Sequence, residues 1–271
     1  DGKRCLIKGG SGPFCQQPFN EVIASEIMGR LGIPHVPYSV IWLDGEPYSV
    51  CEDLVTAGTE MIPAWRILKT QKKNNSVSVY QHFVHCCETL GICGTVPFLD
   101  RMMVLDYVIA NEDRHFNNFG VLRDAETLVW IGFAPIFDSG SSLGFDKTAA
   151  QMASENNVIC KPFKSRHIEQ LKLVSDLSWI DFDRLKDAEE IIKSVLLPDI
   201  SPRALYGVTS GVAAELVGAD RIGAVAAGVM RRIEKLSSLA AGRLLQPFEK
   251  PGIYDLNKIC QHRMIRYLVL R

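Results

Sequence analysis

The first fifty residues alternate between short apolar runs and one stretch of helical apolar spacing. "RCLIKGG" is a short apolar run that ends in glycines, which is typical of a strand. "NEVIASEIMGRLGI" carries apolar residues three and four positions apart, with Asn20 placed as its cap and Gly32 as its stop. Two further apolar runs flank "DGEP", a hairpin signal. The pattern predicts a strand, a helix and then two strands.

From about residue 55 the apolar spacing is mainly helical. The segments with this spacing are "SVYQHFVHCCETLGI", "VPFLDRMMVLDYVIAN", "SRHIEQLKLV", "DFDRLKDAEEIIKSVL", "SPRALYGVTSGVAAELV", "ADRIGAVAAGVMRRIEKLSSLAAG" and "IYDLNKICQHRMIRYLVL". A hairpin-like pair, "FGVLRD" and "LVWIGFAPIFD", interrupts them around "DAET". We therefore expect an α+β chain with a small mixed lobe over residues 1–53 and a large, mainly helical lobe over residues 54–271.

The composition excludes several classes of protein. A net charge of −1 creates no field that attracts nucleic acid or an anionic membrane, and no apolar run reaches the roughly 20 residues of a spanning helix. The eight cysteines form no CxxC pair and no zinc-finger spacing with histidine. The chain opens on polar residues without a signal-peptide pattern. We expect free thiols in a reducing cytoplasm, no membrane contact and no direct nucleic-acid binding.

One stretch, "IANEDRHFNNFGVLRD", concentrates polar side chains between two apolar elements. Phosphoryl transfer needs a carboxylate to orient the acceptor, oxygen ligands for magnesium and a lysine for the phosphates. In protein kinases the base Asp and the metal-binding Asn lie five positions apart on one loop, as Asp113 and Asn118 do here. The predicted hairpin would return Asp138 to this loop, and Lys8 ends an early strand. Their order and spacing predict a kinase-type site and a protein-kinase-like two-lobe fold.

Each of these residues also has an ordinary structural interpretation. Asp113 could cap a helix end, and Asn118 and Asp138 are common turn residues. A lone lysine such as Lys8 is usually solvated. The order of these four residues, the five-residue spacing of Asp113 and Asn118 and the two-lobe layout agree with one another. Together they favour a kinase-type phosphotransfer site. The basic segment "CKPFKSRH" could bind phosphate or dock a substrate, but a solvated loop before a helix explains its charges more simply.

The same motifs resemble a known family. "LIKGG", "FNEVIASEIMGRLGI", "NEDRHFNN" and "APIFDSGSSL" are similar to the C-terminal kinase region of HipA-like serine/threonine kinases, bacterial proteins often encoded as toxins beside an antitoxin. The resemblance implies an enzyme that uses ATP and Mg²⁺, a protein substrate with a Ser/Thr acceptor, and an antitoxin as a partner to test for. Because "DRHxxN" also resembles phosphatidylinositol kinases, a lipid or small-molecule kinase is an alternative. A catalytically weak kinase-fold binding module is another.

The resemblance assigns catalytic and metal-binding roles to the polar stretch and to the residue after the hairpin. Asp113 would orient the acceptor hydroxyl and take its proton late. Asn118 and Asp138 would hold Mg²⁺ through oxygen atoms. His115, at the edge of the cofactor site, would hydrogen-bond the loop or Asp138 rather than bind the metal.

The resemblance also implies a nucleotide site on the small lobe. Lys8 would contact the nucleotide phosphates, and either Glu21 or Glu26 of the next helix would steady it. The strand "YSVCEDL" would be the hinge. The backbone of its last three residues would pair with adenine: Cys51, Glu52 and Asp53.

Two features depart from the usual kinase pattern. Asp138, Ser139 and Gly140 stand where Asp-Phe-Gly is usual, so the phenylalanine packing switch of eukaryotic kinases is missing. Seven residues precede Lys8, too few for a Gly-rich hairpin. We therefore expect the small lobe to lack its first strands, and "GGSG" after the lysine cannot be assumed to replace the hairpin.

Overall fold

The computed structural model describes residues 4–11, 14–153, 158–196 and 219–244, and the strands within them form two three-stranded antiparallel sheets. The strands are β1 (Cys5–Gly9), β2 (Ser39–Leu43), β3 (Glu46–Glu52), β4 (Thr59–Pro63), β5 (Gly120–Asp124) and β6 (Trp130–Phe133). The helices are α1 (Gln17–Leu31), α2 (Ala64–Leu68), α3 (Val79–Leu90), α4 (Thr95–Val108), α5 (Ala149–Met152), α6 (His167–Leu171), α7 (Ala188–Leu196) and α8 (Ala219–Leu244), and a 3₁₀ turn spans Phe182–Leu185. The helices predicted over 201–217 and 253–270 lie outside the described residues.

The first sheet has the strand order β1-β3-β2 and confirms the predicted strand, helix, strand, strand sequence. Asp44 and Gly45 connect β2 to β3 with positive φ angles of 51° and 80°. Two central residues with positive φ make the turn whose twist matches an antiparallel pair, which is why Asp-Gly marks hairpins. In the pairing of β1 with β3, Lys8 lies opposite Ser49. The lysine is therefore near the end of an edge strand.

Helix α1 follows β1 and packs one face into the core. It begins with a proline in its first turn, where a missing N–H costs nothing, and Gly32 ends it with a φ of 65°. Ile23 and Ile27 of its inner face are fully buried. The prediction that Asn20 caps this helix is wrong, since the N-cap is Gln16 and Asn20 lies within the helix. Its side chain has a tertiary role instead.

The second sheet has the order β4-β5-β6, with both pairs antiparallel. The predicted hairpin is present as β5 and β6. Strand β4 was not predicted: it pairs with β5 across about sixty residues of sequence, from Thr59 opposite Asp124 to Pro63 opposite Gly120. The sheet thus joins the start of the helical region to the segment that carries Asp138.

Helix α4 lies in the centre of the core and leads into the polar stretch. Most of its side chains are buried, among them Leu99, Met102, Met103, Val104 and Leu105. Such all-round burial suits a central helix rather than a surface one. Its end is therefore held firmly in place. No helix among the described residues is long and apolar enough to cross a membrane.

His167 at the start of α6 gives the fold a testable dependence on pH. Its ring is buried beside Tyr107, with centroids 6.3 Å apart. Burial, with the charge of Arg232, lowers the pKa of His167 from 6.5 to about 3. Between these values the unfolded chain binds a proton that the folded chain does not. Stability should therefore fall as the pH drops below 6.5, by about 1.4 kcal/mol per pH unit from this group.

The His167→Leu variant tests this expectation. Urea unfolding at about pH 7 and about pH 5 should show a smaller loss of stability in the variant than in the wild-type chain. The control is His85→Leu, which changes an exposed histidine on α3. An unchanged loss of stability in His167→Leu would contradict the proposed contribution of the buried ring.

Candidate active site

The polar stretch begins where α4 ends. Ala110 has a positive φ of 52° and turns the chain out of the helix. Asn111 fixes the exit: its side-chain nitrogen donates to the Asp106 carboxylate at 2.9 Å, and its side-chain oxygen accepts from the N–H of Asp113 at 3.1 Å. The Asp113 carboxylate is partly exposed, at 41%. An acceptor molecule can therefore reach it from solvent.

Asn118 closes the loop that Asp113 opens. Its side-chain nitrogen donates to the carbonyl oxygen of Asp113 at 3.0 Å, and its N–H donates to the carbonyl of His115 at 2.8 Å. Because the amide nitrogen is used within the loop, the amide oxygen remains available as a metal ligand. Residues 113–118 thus form a compact closed loop, which presents the carboxylate of Asp113 and the amide oxygen of Asn118.

A fully buried arginine, Arg114, ties this loop to the rest of the site. Its guanidinium pairs with the equally buried carboxylate of Asp106 in α4 at 3.0 Å. It also donates to the carbonyl of Asn118 at 3.1 Å, the carbonyl of Phe137 at 2.5 Å and the hydroxyl of Ser139 at 2.9 Å. One side chain therefore joins α4, the loop and the segment around Asp138. Nothing in the sequence pattern distinguished Arg114 from its polar neighbours.

Asp138 lies in an uncommon backbone conformation that its surroundings hold. Its φ is 53°, in the left-handed region that few residues other than glycine adopt. The N–H of Asp138 donates to the Tyr38 hydroxyl at 3.3 Å, and the N–H of Ser139 donates to the Glu21 carboxylate at 2.8 Å. The contacts orient the Asp138 side chain by fixing its backbone.

Helix α1 supplies a second anchor for the same segment. The side-chain nitrogen of Asn20 donates to the carbonyls of Gly140 at 2.9 Å and Ser142 at 2.7 Å. Gln16 in turn donates to the Asn20 oxygen at 2.8 Å. These buried polar groups satisfy one another across more than a hundred residues of sequence. Asn20 therefore positions the segment after Asp138 rather than capping its own helix.

Lys8 is brought directly to Asp138. The ammonium group lies 2.5 Å from the Asp138 carboxylate, and both side chains are partly exposed. Burial lowers the pKa of Lys8, but the hydrogen bond to Asp138 and its charge outweigh burial, so the pKa is raised overall. Lys8 therefore carries a positive charge at the site. Strand β1 and the segment that follows the β5–β6 hairpin meet at this contact.

The two glutamates that could accompany Lys8 are in very different places. Glu21 is buried beside the site, where burial and the charge of Asp138 raise its pKa to about 7. Its carboxylate accepts a hydrogen bond from the N–H of Ser139, and it acts on Lys8 through its charge. Glu26 is on the outer face of α1 and pairs with Arg30 at 3.6 Å. Of the two glutamates, Glu21 therefore lies beside Lys8 and Asp138, and Glu26 does not.

Known proteins agree with this architecture at the level of fold. No family model matches the sequence, and no curated protein matches it. Among solved structures, the proinflammatory kinase CtkA of Helicobacter pylori has a TM-score of 0.64 at 15% identity, over 90% of this chain and 93% of that one. This chain shares the fold of that kinase structure. HipA of Shewanella oneidensis MR-1, solved with HipB and operator DNA, has a TM-score of 0.46 at 11% identity, over 88% of this chain and 60% of that one.

The predicted hinge, residues 51–53, lies at the end of β3, and some of its backbone groups already have hydrogen-bond partners. The N–H of Asp53 donates to the carbonyl of Arg4 at 2.9 Å, and the two side chains form an ion pair at 2.8 Å. Cys51 and Glu52 pair with β1 in the sheet. The N–H of Asp53 would have to leave Arg4 to pair with a base. Adenine pairing by residues 51–53 stays a prediction.

His115 and Lys161 complete the surroundings of Asp113. The ring of His115 accepts from the N–H of Asn117 at 3.3 Å, a contact within the loop, and lies 4.0 Å from the Asp113 carboxylate. Lys161 lies closer, with its ammonium 2.6 Å from Asp113. The sequence favoured a solvated loop for the segment that contains Lys161, so this contact was missed. Its only signal in the sequence was a local excess of positive charge.

Proposed function

We propose that this chain is a phosphotransferase that uses ATP and Mg²⁺ and transfers a phosphoryl group to a serine or threonine of a protein. One observation carries the proposal. Lys8 contacts Asp138, while the guanidinium of Arg114 joins the backbone next to Asp138 to that of Asn118. These contacts support one site in which Lys8 would bind phosphate and Asn118 and Asp138 would supply oxygen ligands. With the carboxylate of Asp113, this is the set that phosphoryl transfer requires.

The donor groups fit a magnesium ion. Asn118 offers an amide oxygen, and Asp138 keeps a carboxylate oxygen beyond the one that pairs with Lys8. Within the described ranges, no three His, Cys, Asp or Glu side chains gather into a site that would hold a metal by themselves. Magnesium is commonly held by one or two protein oxygens together with substrate phosphates and water. When bound, the ion would neutralise phosphate charge.

The chain's own side chains would bind the phosphates, orient the acceptor and position the metal ligand. Lys8, which is 45% exposed, can turn from Asp138 to the phosphates of a bound nucleotide. The partly exposed carboxylate of Asp113 would orient the acceptor hydroxyl and receive its proton. Glu21 and Arg114 hold the backbone on either side of Asp138, so that its ligand oxygen is already in position.

The acceptor and any partner are extensions of this proposal. The sequence resemblance to HipA-like kinases supports a Ser/Thr protein substrate and an antitoxin as a binding partner. A lipid or small-molecule acceptor would leave the same four residues in the same roles. A binding module without catalysis would bind Mg·ATP but release no product, which a turnover assay distinguishes from an enzyme.

We expect Asp138→Asn and Asn118→Ala each to weaken Mg²⁺-dependent ATP binding by at least about tenfold, or about 1.4 kcal/mol. Asp138→Asn removes the negative charge of one ligand, and Asn118→Ala removes the amide oxygen of the other. Calorimetric titration with Mg·ATP, and with ATP in EDTA, measures the metal-dependent part of the affinity. The matched control is Asn117→Ala, since Asn117 is the exposed neighbour of Asn118. Its affinity should equal that of the wild type.

The proposal fails if both ligand variants keep the wild-type dependence on magnesium. It also fails if Mg·ATP neither raises the melting temperature of the wild-type chain nor binds in the titration. Melting curves of the free variants serve as the check on folding, because a ligand variant that is unfolded in the absence of nucleotide tests nothing about the metal.

A further inference from the structure

Lys161 contacts Asp113 across 48 positions of sequence, at 2.6 Å between the ammonium and the carboxylate oxygen. In the proposed function, Asp113 orients the acceptor hydroxyl and receives its proton, and Lys161 has no assigned role. Both side chains are about half exposed, at 48% and 41%. An exposed ion pair of this kind contributes about 0–1 kcal/mol to stability, so its effect on the fold is small.

The loop that carries Lys161 is held by a buried glutamine. Gln170, 1% exposed in α6, donates to the carbonyl of Lys161 at 2.9 Å. The oxygen of the same side chain accepts from the N–H groups of Phe163 at 3.1 Å and Lys164 at 3.3 Å. Three backbone groups of a short loop are thus fixed by one side chain. The position of Lys161 relative to the core is therefore set before any ligand binds.

An aromatic contact fixes the same loop against the polar stretch. The ring of Phe163 packs on Phe116, which lies inside the Asp113–Asn118 loop, with centroids 5.7 Å apart. It also packs on Tyr80 and Phe83 of α3, at 5.3 Å and 6.3 Å. Aromatic pairs at these distances are attractive beyond the area they bury. The two loops therefore form one packed unit, and the ammonium is presented to Asp113 by that unit.

We propose that Lys161 is a further residue of the phosphotransfer site, whose ammonium holds Asp113 before reaction and then neutralises negative charge on the transferring phosphoryl group. This inference rests on the proposed function. Asp113 marks where the acceptor hydroxyl must lie, so an ammonium within hydrogen-bond distance of Asp113 lies beside the point of transfer. A cation stabilises the negative charge of a transition state most strongly when the site already holds it in place before reaction.

The step balances without any further reactant. The acceptor oxygen forms a bond to the γ-phosphorus of ATP, while the bond from that phosphorus to the bridging oxygen breaks and its electron pair leaves with ADP. The acceptor proton goes to the Asp113 carboxylate and then to solvent. Lys161 keeps all its protons and changes partner, from the carboxylate, which becomes neutral, to the equatorial phosphoryl oxygens.

The test compares Lys161→Met, Lys161→Arg and Lys164→Met in the full chain. Lys164 is the matched control, because it is an exposed lysine of the same loop. Turnover of γ-labelled Mg·ATP is measured as phosphate released to water plus phosphate transferred to the chain. We expect Lys161→Met to lower kcat by about 100-fold, comparable to the loss of one charge-stabilising donor in other enzymes. Mg·ATP affinity and melting temperature should stay near wild type.

Two further readouts separate a catalytic role from a structural one. Lys161→Arg keeps the charge and should retain turnover within about fivefold, since the contact is a single point rather than a fork. Mg·ADP with aluminium fluoride imitates the transferring phosphoryl group, and it should bind the wild-type chain more tightly than Mg·ADP alone. Lys161→Met should lose that gain.

The outcomes distinguish this inference from the function on which it rests. Turnover in Lys161→Met equal to that of the wild type, or a loss equally large in Lys164→Met, overturns the inference alone. A loss accompanied by a lower melting temperature and weaker Mg·ATP binding assigns Lys161 to the fold and likewise overturns it. A wild-type chain that neither binds nor turns over Mg·ATP overturns the proposed function, and the inference falls with it.

Discussion

Replacement of Arg114 by methionine is expected to destabilise the protein by about 3–5 kcal/mol, because it leaves a buried charge without its partner. Arg114 and Asp106 are both 0% exposed and pair at 3.0 Å. Burial raises the pKa of Asp106, and the guanidinium opposes that shift. Without it the carboxylate must take up a proton or draw in water, and both weaken the fold. Urea unfolding of the variant and the wild type measures the loss.

A control and a double variant show what Arg114 contributes beyond charge. Arg123→Met breaks a partly exposed pair with Glu60 and should cost about 0–1 kcal/mol. Asp106→Leu combined with Arg114→Met removes both buried charges and should recover most of the stability. It cannot restore the bonds to the backbone around Asn118 and Asp138, so Mg·ATP binding should remain weak.

An Arg114→Met variant that loses less than about 1 kcal/mol would contradict the first expectation. It would mean that water or another polar group satisfies the Asp106 carboxylate. A double variant with full nucleotide affinity would show that the loop and the Asp138 segment keep their relative position without the guanidinium.

The second large effect is expected at Asp113. Asp113→Ala should lower kcat for phosphoryl transfer by about 10²–10⁴-fold, the usual contribution of a positioned proton acceptor. The carboxylate acts on the acceptor and not on the nucleotide, so the affinity for Mg·ATP should change little. The rate comes from labelled ATP with a cell lysate as the source of acceptors, and the affinity comes from calorimetry.

Asp146→Ala is the matched control for this loss. Asp146 is similarly exposed, at 46% against 41%, and also pairs with a lysine, Lys147, at 3.1 Å. Its removal should leave the rate unchanged, since it lies outside the loop of Asp113. If transfer by Asp113→Ala stays within about tenfold of the wild type, or about 1.4 kcal/mol, another group must orient the acceptor.

The features that the sequence predicted correctly have local causes. The β2–β3 hairpin follows from Asp44-Gly45, whose residues accept positive φ, and α1 follows from its apolar spacing and the glycine that ends it. The loop from Asp113 to Asn118 is also local, because six residues suffice to close it with one side-chain hydrogen bond. Lys8 and Asp138 were predicted as site residues only from their order along the chain.

The features that the sequence did not predict depend on partners far away along the chain. Strand β4 has a strand's conformation because β5 pairs with it, while its own residues lack a clear alternation. Asn20 has the composition of a cap, yet buried carbonyls of residues 140 and 142 outweigh that local preference. The spacing of apolar and polar residues within β4 or α1 contains no information about strand β5 or about the carbonyls of residues 140 and 142.

The sequence alone thus predicted most of the elements around the site and the residues that would carry the proposed chemistry. Only the tertiary structure decided which of them meet. The contact between Lys8 and Asp138 spans 130 positions, and that between Lys161 and Asp113 spans 48. Arg114 sets the geometry among them because a buried guanidinium must satisfy its donors wherever the packed core offers acceptors. Such acceptors exist only once the chain has folded around it.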